Sequence, residues 1–72
     1  MNILTPREKE ITVLVATGAS NKQIARQLFI SENTVKTILA KVFEKTSSQS
    51  RTELAVRWLS SQNLVTRPLA VA

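Results

Sequence analysis

The segment 20–45 constrains the fold of this chain more than any other segment. It opens with Ser20, and Gln23 follows three residues later, which is the spacing of a helix capping box. A short apolar stripe comes next, with the spacing of one helix face: Ile24, Ala25 and Leu28. After a tight corner, Ser31 can cap a second helix whose longer apolar stripe is Val35, Ile38, Leu39, Val42 and Phe43. The segment therefore predicts two helices that share one apolar core.

The outer face of the second helix is a ridge of small side chains between two lysines. At about 100° per residue, Asn33, Thr37, Ala40 and Glu44 lie opposite the apolar stripe, and Lys36 and Lys41 lie on either side of them. Two short helices joined by a tight corner have the shape of a helix-turn-helix, whose second helix enters the DNA major groove. Small side chains let that helix approach base edges, and lysines reach guanine acceptors or phosphates. The same pattern is also typical of an ordinary amphipathic helix with a solvated outer face.

Three sequence segments carry a resemblance to a known family. LTPREKEI, GASNKQIARQLFISENTVK and RTELAV, in this order and spacing, resemble the LuxR-type helix-turn-helix family, which includes GerE-like and NarL/FixJ-like transcriptional regulators. The resemblance runs from Leu4 to about Val65, and it implies a four-helix DNA-binding domain that acts as a dimer on promoter DNA. One position departs from the family, because Ile38 stands where a histidine is very common. No family contact is carried over to that position.

Composition limits the classes of function. The chain has 72 residues with ten Lys and Arg against five Asp and Glu, a net charge of +5 that suits nucleic acid first and a membrane surface second. Many small soluble domains are equally basic. The chain has no Cys and no His, so we expect neither an enzyme nor a metal or cofactor site. No apolar run reaches the length of a membrane span and the start is not a signal peptide, so we expect a cytoplasmic protein. The resemblance implies that the cytoplasm is that of a bacterium.

Helix signals extend over most of the chain and predict an all-α fold. The expected helices are about 6–17, 21–28, 32–45 and 51–62, with no strand. Thr5 and Glu8 form a capping box, Gly18 can end the first helix, and Ser50 with Glu53 forms another box. The predicted core is Ile11, Leu14, Ile24, Leu28, Val35, Leu39 and Val42.

The end of the chain separates from this pattern. Asn63 can take a left-handed cap and Leu64 and Val65 can fold back on the core, which gives one domain over residues 1–65. Residues 66–72 contain Pro68 and have no helical pattern, so we expect a flexible C-terminal tail.

The resemblance implies a set of DNA contacts. Lys36, Thr37 and Ala40 match family positions that face base edges. The family also carries an Asn-Lys pair beside the DNA backbone, here Asn21 and Lys22. We expect the phosphate contacts to be completed by three residues of the second helix of the motif: Asn33, Thr34 and Lys41.

The predicted fourth helix has more apolar surface than a single buried face requires. Its apolar arc is about 200° wide, whereas one buried face needs about 100°. In the family this helix pairs with its two-fold mate, so the candidate homodimer contacts are Leu54, Val56, Trp58 and Leu59. The pattern does not decide which of them face the core and which face the mate.

Other functions remain open at this point. The main hypothesis is a sequence-specific regulator that reads double-stranded promoter DNA, with RNA polymerase as a further expected partner. A promoter-reading domain of a sigma factor has a similar motif, although such a domain normally ends soon after its recognition helix. A helix-turn-helix that has lost DNA binding and inhibits a partner regulator should also have lost the basic rim, yet Lys22, Lys36 and Lys41 are present.

Overall fold

The computed structural model describes residues 3–62, which form four helices and, within that range, no strand. The helices are α1 (Pro6–Ala16), α2 (Asn21–Leu28), α3 (Glu32–Thr46) and α4 (Arg51–Gln62). The predicted all-α fold is confirmed. All four helix starts and the ends of α1, α2 and α3 lie within one residue of their expected positions. Helices α2 and α3 with their short corner form the helix-turn-helix, and α1 and α4 pack on each other beside it. No helix in this range is long and apolar enough to cross a membrane.

Each helix begins with a side-chain hydroxyl that accepts a hydrogen bond from the first turn. The reciprocal capping boxes at Thr5 and Ser20 are both complete, and Ser31 accepts from the backbone N–H of Thr34. Of the two hydrogen bonds of the capping box predicted at Ser50, only one is present. Ser50 accepts from the N–H of Glu53, but the Glu53 carboxylate reaches one residue further back, to the backbone N–H of Gln49. A cap of this kind stabilises a helix by about 1 kcal/mol.

Residues in the left-handed region close the ends of the first three helices. Gly18 has φ of +96°, and the N–H groups of Gly18 and Ala19 donate to the carbonyls of Val15 and Leu14, which is a Schellman motif. Ser47 ends α3 in the same way at φ 56°. Phe29, in the corner between α2 and α3, has φ 58°, which costs roughly 1–2 kcal/mol relative to glycine there. The corner is thus shaped by backbone hydrogen bonds and has no glycine.

The core joins residues from all four helices. Five of the seven predicted core residues are buried, and they are accompanied by Leu4, Val15, Ala25 and Leu54. The prediction was wrong for Leu14 and Leu28, which pack against the core but are only half-buried. Both line an open groove between α1 and α2. They lie at the margin of the packed layer because none of the four helices in residues 3–62 covers that side.

Leu54 belongs to the core and not to an interface. Its exposed fraction is 0%, and it lies on α4, which packs mainly on α1. A side chain with no exposed surface has nothing to present to a second subunit. Of the four candidate dimer contacts whose orientation the sequence left open, Leu54 therefore faces the core and is no longer a candidate.

A buried carboxylate ties the beginning of α1 to the end of α3. Glu8 is only 5% exposed, yet both its oxygens accept from Lys45 Nζ, at 2.9 and 3.1 Å. The same carboxylate accepts from the N–H of Thr5 at 2.8 Å. The hydrogen bond from Lys45, followed by that from the Thr5 backbone, lowers the pKa of Glu8 below its ordinary value near 4.5. The sequence predicted the box but not the lysine, which is distant along the chain.

This ion pair predicts a loss of stability in acid. Because the folded-state pKa of Glu8 is lowered, its contribution is complete above the unfolded-state value and is lost as the pH falls through the folded-state value. We expect the free energy of unfolding to decline from about pH 4.5 downward, and Glu8→Gln to flatten that decline while lowering stability at neutral pH. Urea unfolding across this range measures both effects. Glu10→Gln, at an exposed neighbouring site, is the control and should keep the acid-side decline; an unchanged decline in Glu8→Gln would contradict the prediction.

Three of the expectations fall on residues that the structure does not describe. They are the left-handed cap at Asn63, the return of Leu64 and Val65 to the core, and the tail over residues 66–72.

Candidate nucleic-acid interface

The ridge predicted on the outer face of α3 is present. Val35, Leu39 and Val42 face the core, which turns the opposite side of the helix to solvent. The three candidate base-reading residues and the three candidate phosphate contacts of this helix are all exposed: Asn33, Thr34, Lys36, Thr37, Ala40 and Lys41. The helix therefore presents small side chains at the centre of its outer face and two cationic ones beside them.

Hydrogen bonds within α3 decide what its polar side chains can offer. The Thr37 hydroxyl donates to the carbonyl of Asn33 at 3.0 Å, so its proton is engaged and its methyl group and oxygen lone pairs remain for a ligand. The Thr34 hydroxyl lies 2.9 Å from the hydroxyl of Ser31, the residue that caps the helix. Thr37 thus suits an apolar contact such as a thymine methyl group, and Thr34 forms part of the cap.

The lysines near this ridge carry charge that no acidic group neutralises. Within the described residues, Lys22, Lys36 and Lys41 form no ion pair, although each is exposed. Other cations of the domain are paired: Arg7 with Glu10, Lys45 with Glu8, and Arg57 with Glu53. Lys22, Lys36 and Lys41 therefore keep their charge for a ligand. Lys9 on α1 and Arg26 on α2 are also without an ion pair in residues 3–62, as are the carboxylates of Glu32 and Glu44 on α3.

Asn21 has a partner that the sequence did not predict. Arg51, the first residue of α4, donates from Nη1 to Asn21 Oδ1 at 2.6 Å and from Nη2 to the carbonyl of Ala19 at 2.7 Å. Asn21 and Arg51 line one open recess together with four residues of α3: Lys36, Leu39, Ala40 and Phe43. The capping box at Ser50 predicted where α4 begins. No sequence signal indicated that its first side chain would reach α2.

The outer side of α4 carries the remaining candidate dimer contacts. Val56 is 56% exposed and Leu59 is 41% exposed, whereas Trp58 is half-buried against the core. An open groove between α1 and α4 continues from Val56 and Leu59 to Val15 and Ala19. The exposed apolar surface is thus centred on Val56 and Leu59, and Trp58 largely serves the monomer core.

The chain matches a known family and several named regulators. The model of the family described as bacterial regulatory proteins, luxR family, matches residues 2–58. The chain is 57% identical over 56 residues to the CsgBAC operon transcriptional regulatory protein of Escherichia coli (strain K12), covering 78% of this chain and 26% of that protein. It is 57% identical over 58 residues to the monoamine regulon transcriptional regulator of Klebsiella aerogenes, covering 79% and 26%. It is 44% identical over 64 residues to the nitrate/nitrite response regulator protein NarL of Escherichia coli (strain K12), covering 89% and 29%.

The second and third of the four helices form a helix-turn-helix, and lysines without ion pairs surround a ridge of small residues. This arrangement is that of a DNA-binding regulatory domain. The chain belongs to the luxR family of bacterial regulatory proteins. It spans about a quarter of the length of the curated relatives that it matches.

Proposed function

We propose that this domain reads promoter DNA in the major groove and thereby regulates transcription, as a homodimer on a two-fold site. The observation that carries the proposal is the set of lysines without acidic partners, Lys22, Lys36 and Lys41, around the small residues of α3. Small side chains allow close approach to base edges, and unpaired lysines release counterions when they meet phosphates.

The proposal gives each residue one of two roles. Lys36, Thr37 and Ala40 face base edges, with Lys36 as donor to guanine and the Thr37 methyl group against thymine. Backbone phosphates are held by Asn21, Lys22, Asn33, Thr34 and Lys41. Phosphate contacts fix the register of the domain on DNA, and the base contacts supply the specificity.

The family match and the presence of α4 favour a regulator over a sigma-factor domain. The retained lysines oppose a motif that has lost DNA binding and serves only to inhibit another protein. In the proposed role the domain acts on the bacterial chromosome in the cytoplasm, with RNA polymerase as a further partner. Selection of bound sites from a pool of random duplex DNA tests the proposal. A two-fold consensus supports it, and recovery of unselected sequences would contradict it.

The phosphate role predicts a change in salt dependence. Replacing Lys22 or Lys41 with alanine should weaken binding to the selected site and to random DNA alike, because phosphates are common to both. The slope of log affinity against log salt should become shallower by about 0.9 for each phosphate that the variant no longer neutralises. Binding isotherms over a salt series measure it. Arg7→Ala removes the same charge from the start of α1, where Arg7 pairs with Glu10, and should change the slope much less. Weaker binding to the selected site alone would refute the phosphate role.

The base-reading role predicts a loss of discrimination. Lys36→Ala should reduce the preference for the correct base at one or two positions by roughly 1–3 kcal/mol, while affinity for random DNA changes little. Competition between the selected site and its single-base variants measures this preference. Lys22→Ala serves as the matched control, since it should weaken both DNAs equally. If Lys36→Ala weakened binding to the selected site and to random DNA equally, Lys36 would be a phosphate contact and not a base contact.

A further inference from the structure

Arg51 links the fourth helix to the DNA face of the second. Its guanidinium is half-buried and spans two acceptors that are about 30 residues away in the sequence, Asn21 Oδ1 at 2.6 Å and the carbonyl of Ala19 at 2.7 Å. The second acceptor belongs to the connection between α1 and α2. One side chain therefore fixes the first turn of α4, this connection and the first residue of α2 relative to one another.

The chemistry of the guanidinium fixes the orientation of the Asn21 amide. Arginine has N–H donors and no acceptor, so only the oxygen of the carboxamide can face it. The amide nitrogen, with its two N–H donors, must then point away from Arg51. The oxygen is bound to a cationic donor, and such polarisation strengthens the donors on the other side of the amide.

The outward side of Asn21 faces the region where the proposed function places DNA. Asn21 and Arg51 line the same open recess as Lys36 and Ala40 of α3. The recess also has apolar lining from Leu39 and Phe43. Its polar groups are the Asn21 N–H donors and the cations Lys36 and Arg51, which suit the anionic oxygen of a phosphate. Without Arg51, nothing on α4 would prevent the amide from turning its oxygen toward that anion.

We propose that Arg51 is a positioning residue for DNA binding: it holds the Asn21 carboxamide with its N–H donors toward a backbone phosphate. This inference rests on the proposed function and adds to it a residue that lies on the helix assigned to dimerisation. Arg51 acts through Asn21, and the contact to the phosphate is made by Asn21.

A double-mutant cycle on the full chain tests the inference. Arg51→Lys keeps the charge and a long stem but cannot reproduce the fork that spans two acceptors. Arg51→Lys and Asn21→Ala should each weaken binding to the selected site and to random duplex DNA by roughly twofold to tenfold, the range of one hydrogen bond. The double variant should bind no more weakly than Asn21→Ala alone. Combined with Lys41→Ala, the effect of Arg51→Lys should instead be independent, and circular dichroism establishes that all variants are folded.

The isosteric variant Asn21→Asp tests whether Arg51 positions the Asn21 amide for DNA or only stabilises the fold. Asn21→Asp keeps an oxygen for Arg51 and strengthens that contact, but the side chain then has no donor and carries a negative charge. We expect its thermal midpoint to match or exceed that of the parent chain while its DNA affinity falls below that of Asn21→Ala. Gln27→Glu adds the same charge at the other end of α2 and should weaken DNA binding less.

Each other outcome overturns the inference. If Arg51→Lys weakens DNA binding as much in the Asn21→Ala background as in the parent chain, Arg51 contacts DNA itself or acts through another residue. If Asn21→Asp binds DNA as well as the parent chain, the amide donors are irrelevant. Failure of the proposed function would be recognised by a different result: the parent chain itself would select no site from random duplex DNA. A parent chain that selects a site, with Asn21→Ala equal to it, rejects only the role of this pair.

Discussion

Replacing Leu54 with alanine should unfold most of the domain. Leu54 has no exposed surface and attaches α4 to the core, chiefly over α1. Truncating a buried leucine costs about 2–5 kcal/mol, and a domain of this size rarely has more than about 3–5 kcal/mol in total. The expected result is therefore a chain with much reduced helical signal at ambient temperature, measured by circular dichroism during urea titration.

Leu59→Ala is the matched control for this prediction. It removes the same atoms from the same helix, but Leu59 is 41% exposed and loses less burial. Leu59→Ala should lower the free energy of unfolding by only a fraction of the decrease caused by Leu54→Ala. Equal destabilisation by the two variants would mean that Leu54 does not anchor α4 to the core.

Val56→Glu should leave the monomer folded and remove cooperative binding to a two-fold site. Val56 is 56% exposed on the outer side of α4, so a carboxylate there stays solvated in the monomer. In a dimer that pairs through α4, the same carboxylate must be desolvated between two subunits, which is unfavourable. Couplings between sites are typically about 1–3 kcal/mol, so affinity for the two-fold site should fall by about that amount.

Sedimentation with and without the selected two-fold site measures the stoichiometry, and a binding titration measures the cooperativity. Arg57→Gln lowers the net charge by the same amount at the adjacent position and should bind cooperatively. Trp58 is a poorer probe than Val56 because it packs against the core, so its removal would also destabilise the monomer. If Val56→Glu is folded and still binds two copies cooperatively, α4 is not the dimer contact.

The sequence predicted what depends on neighbouring residues. Caps at Thr5, Ser20, Ser31 and Ser50 are short-range patterns, and they placed the start of every helix within one residue. The apolar stripe of α3 predicted which side of the helix is buried, and the opposite side was therefore predicted to be exposed.

The contacts that join distant segments could not be predicted in the same way. The bonds of Lys45 to Glu8 and of Arg51 to Asn21 depend on how whole helices pack, and no local pattern marks either pair. The broad apolar arc of α4 predicted extra surface but could not divide it between the core and a partner, and only the structure shows that Leu54 faces the core. Which residue of a wide stripe is covered depends on the position of α1.

The short connections between capped helices have a consequence for how fast the domain forms. Three of the four helices can nucleate and stop with hydrogen bonds made by residues within or next to them. Chains dominated by such local contacts fold on a time scale of roughly microseconds to milliseconds. The attachment of α4 to α1 closes the largest loop of the chain, so we expect it to be the late step in folding and the early step in unfolding. Helix α4 is also the proposed dimer contact. A partner subunit bound to α4 would therefore oppose its detachment from α1.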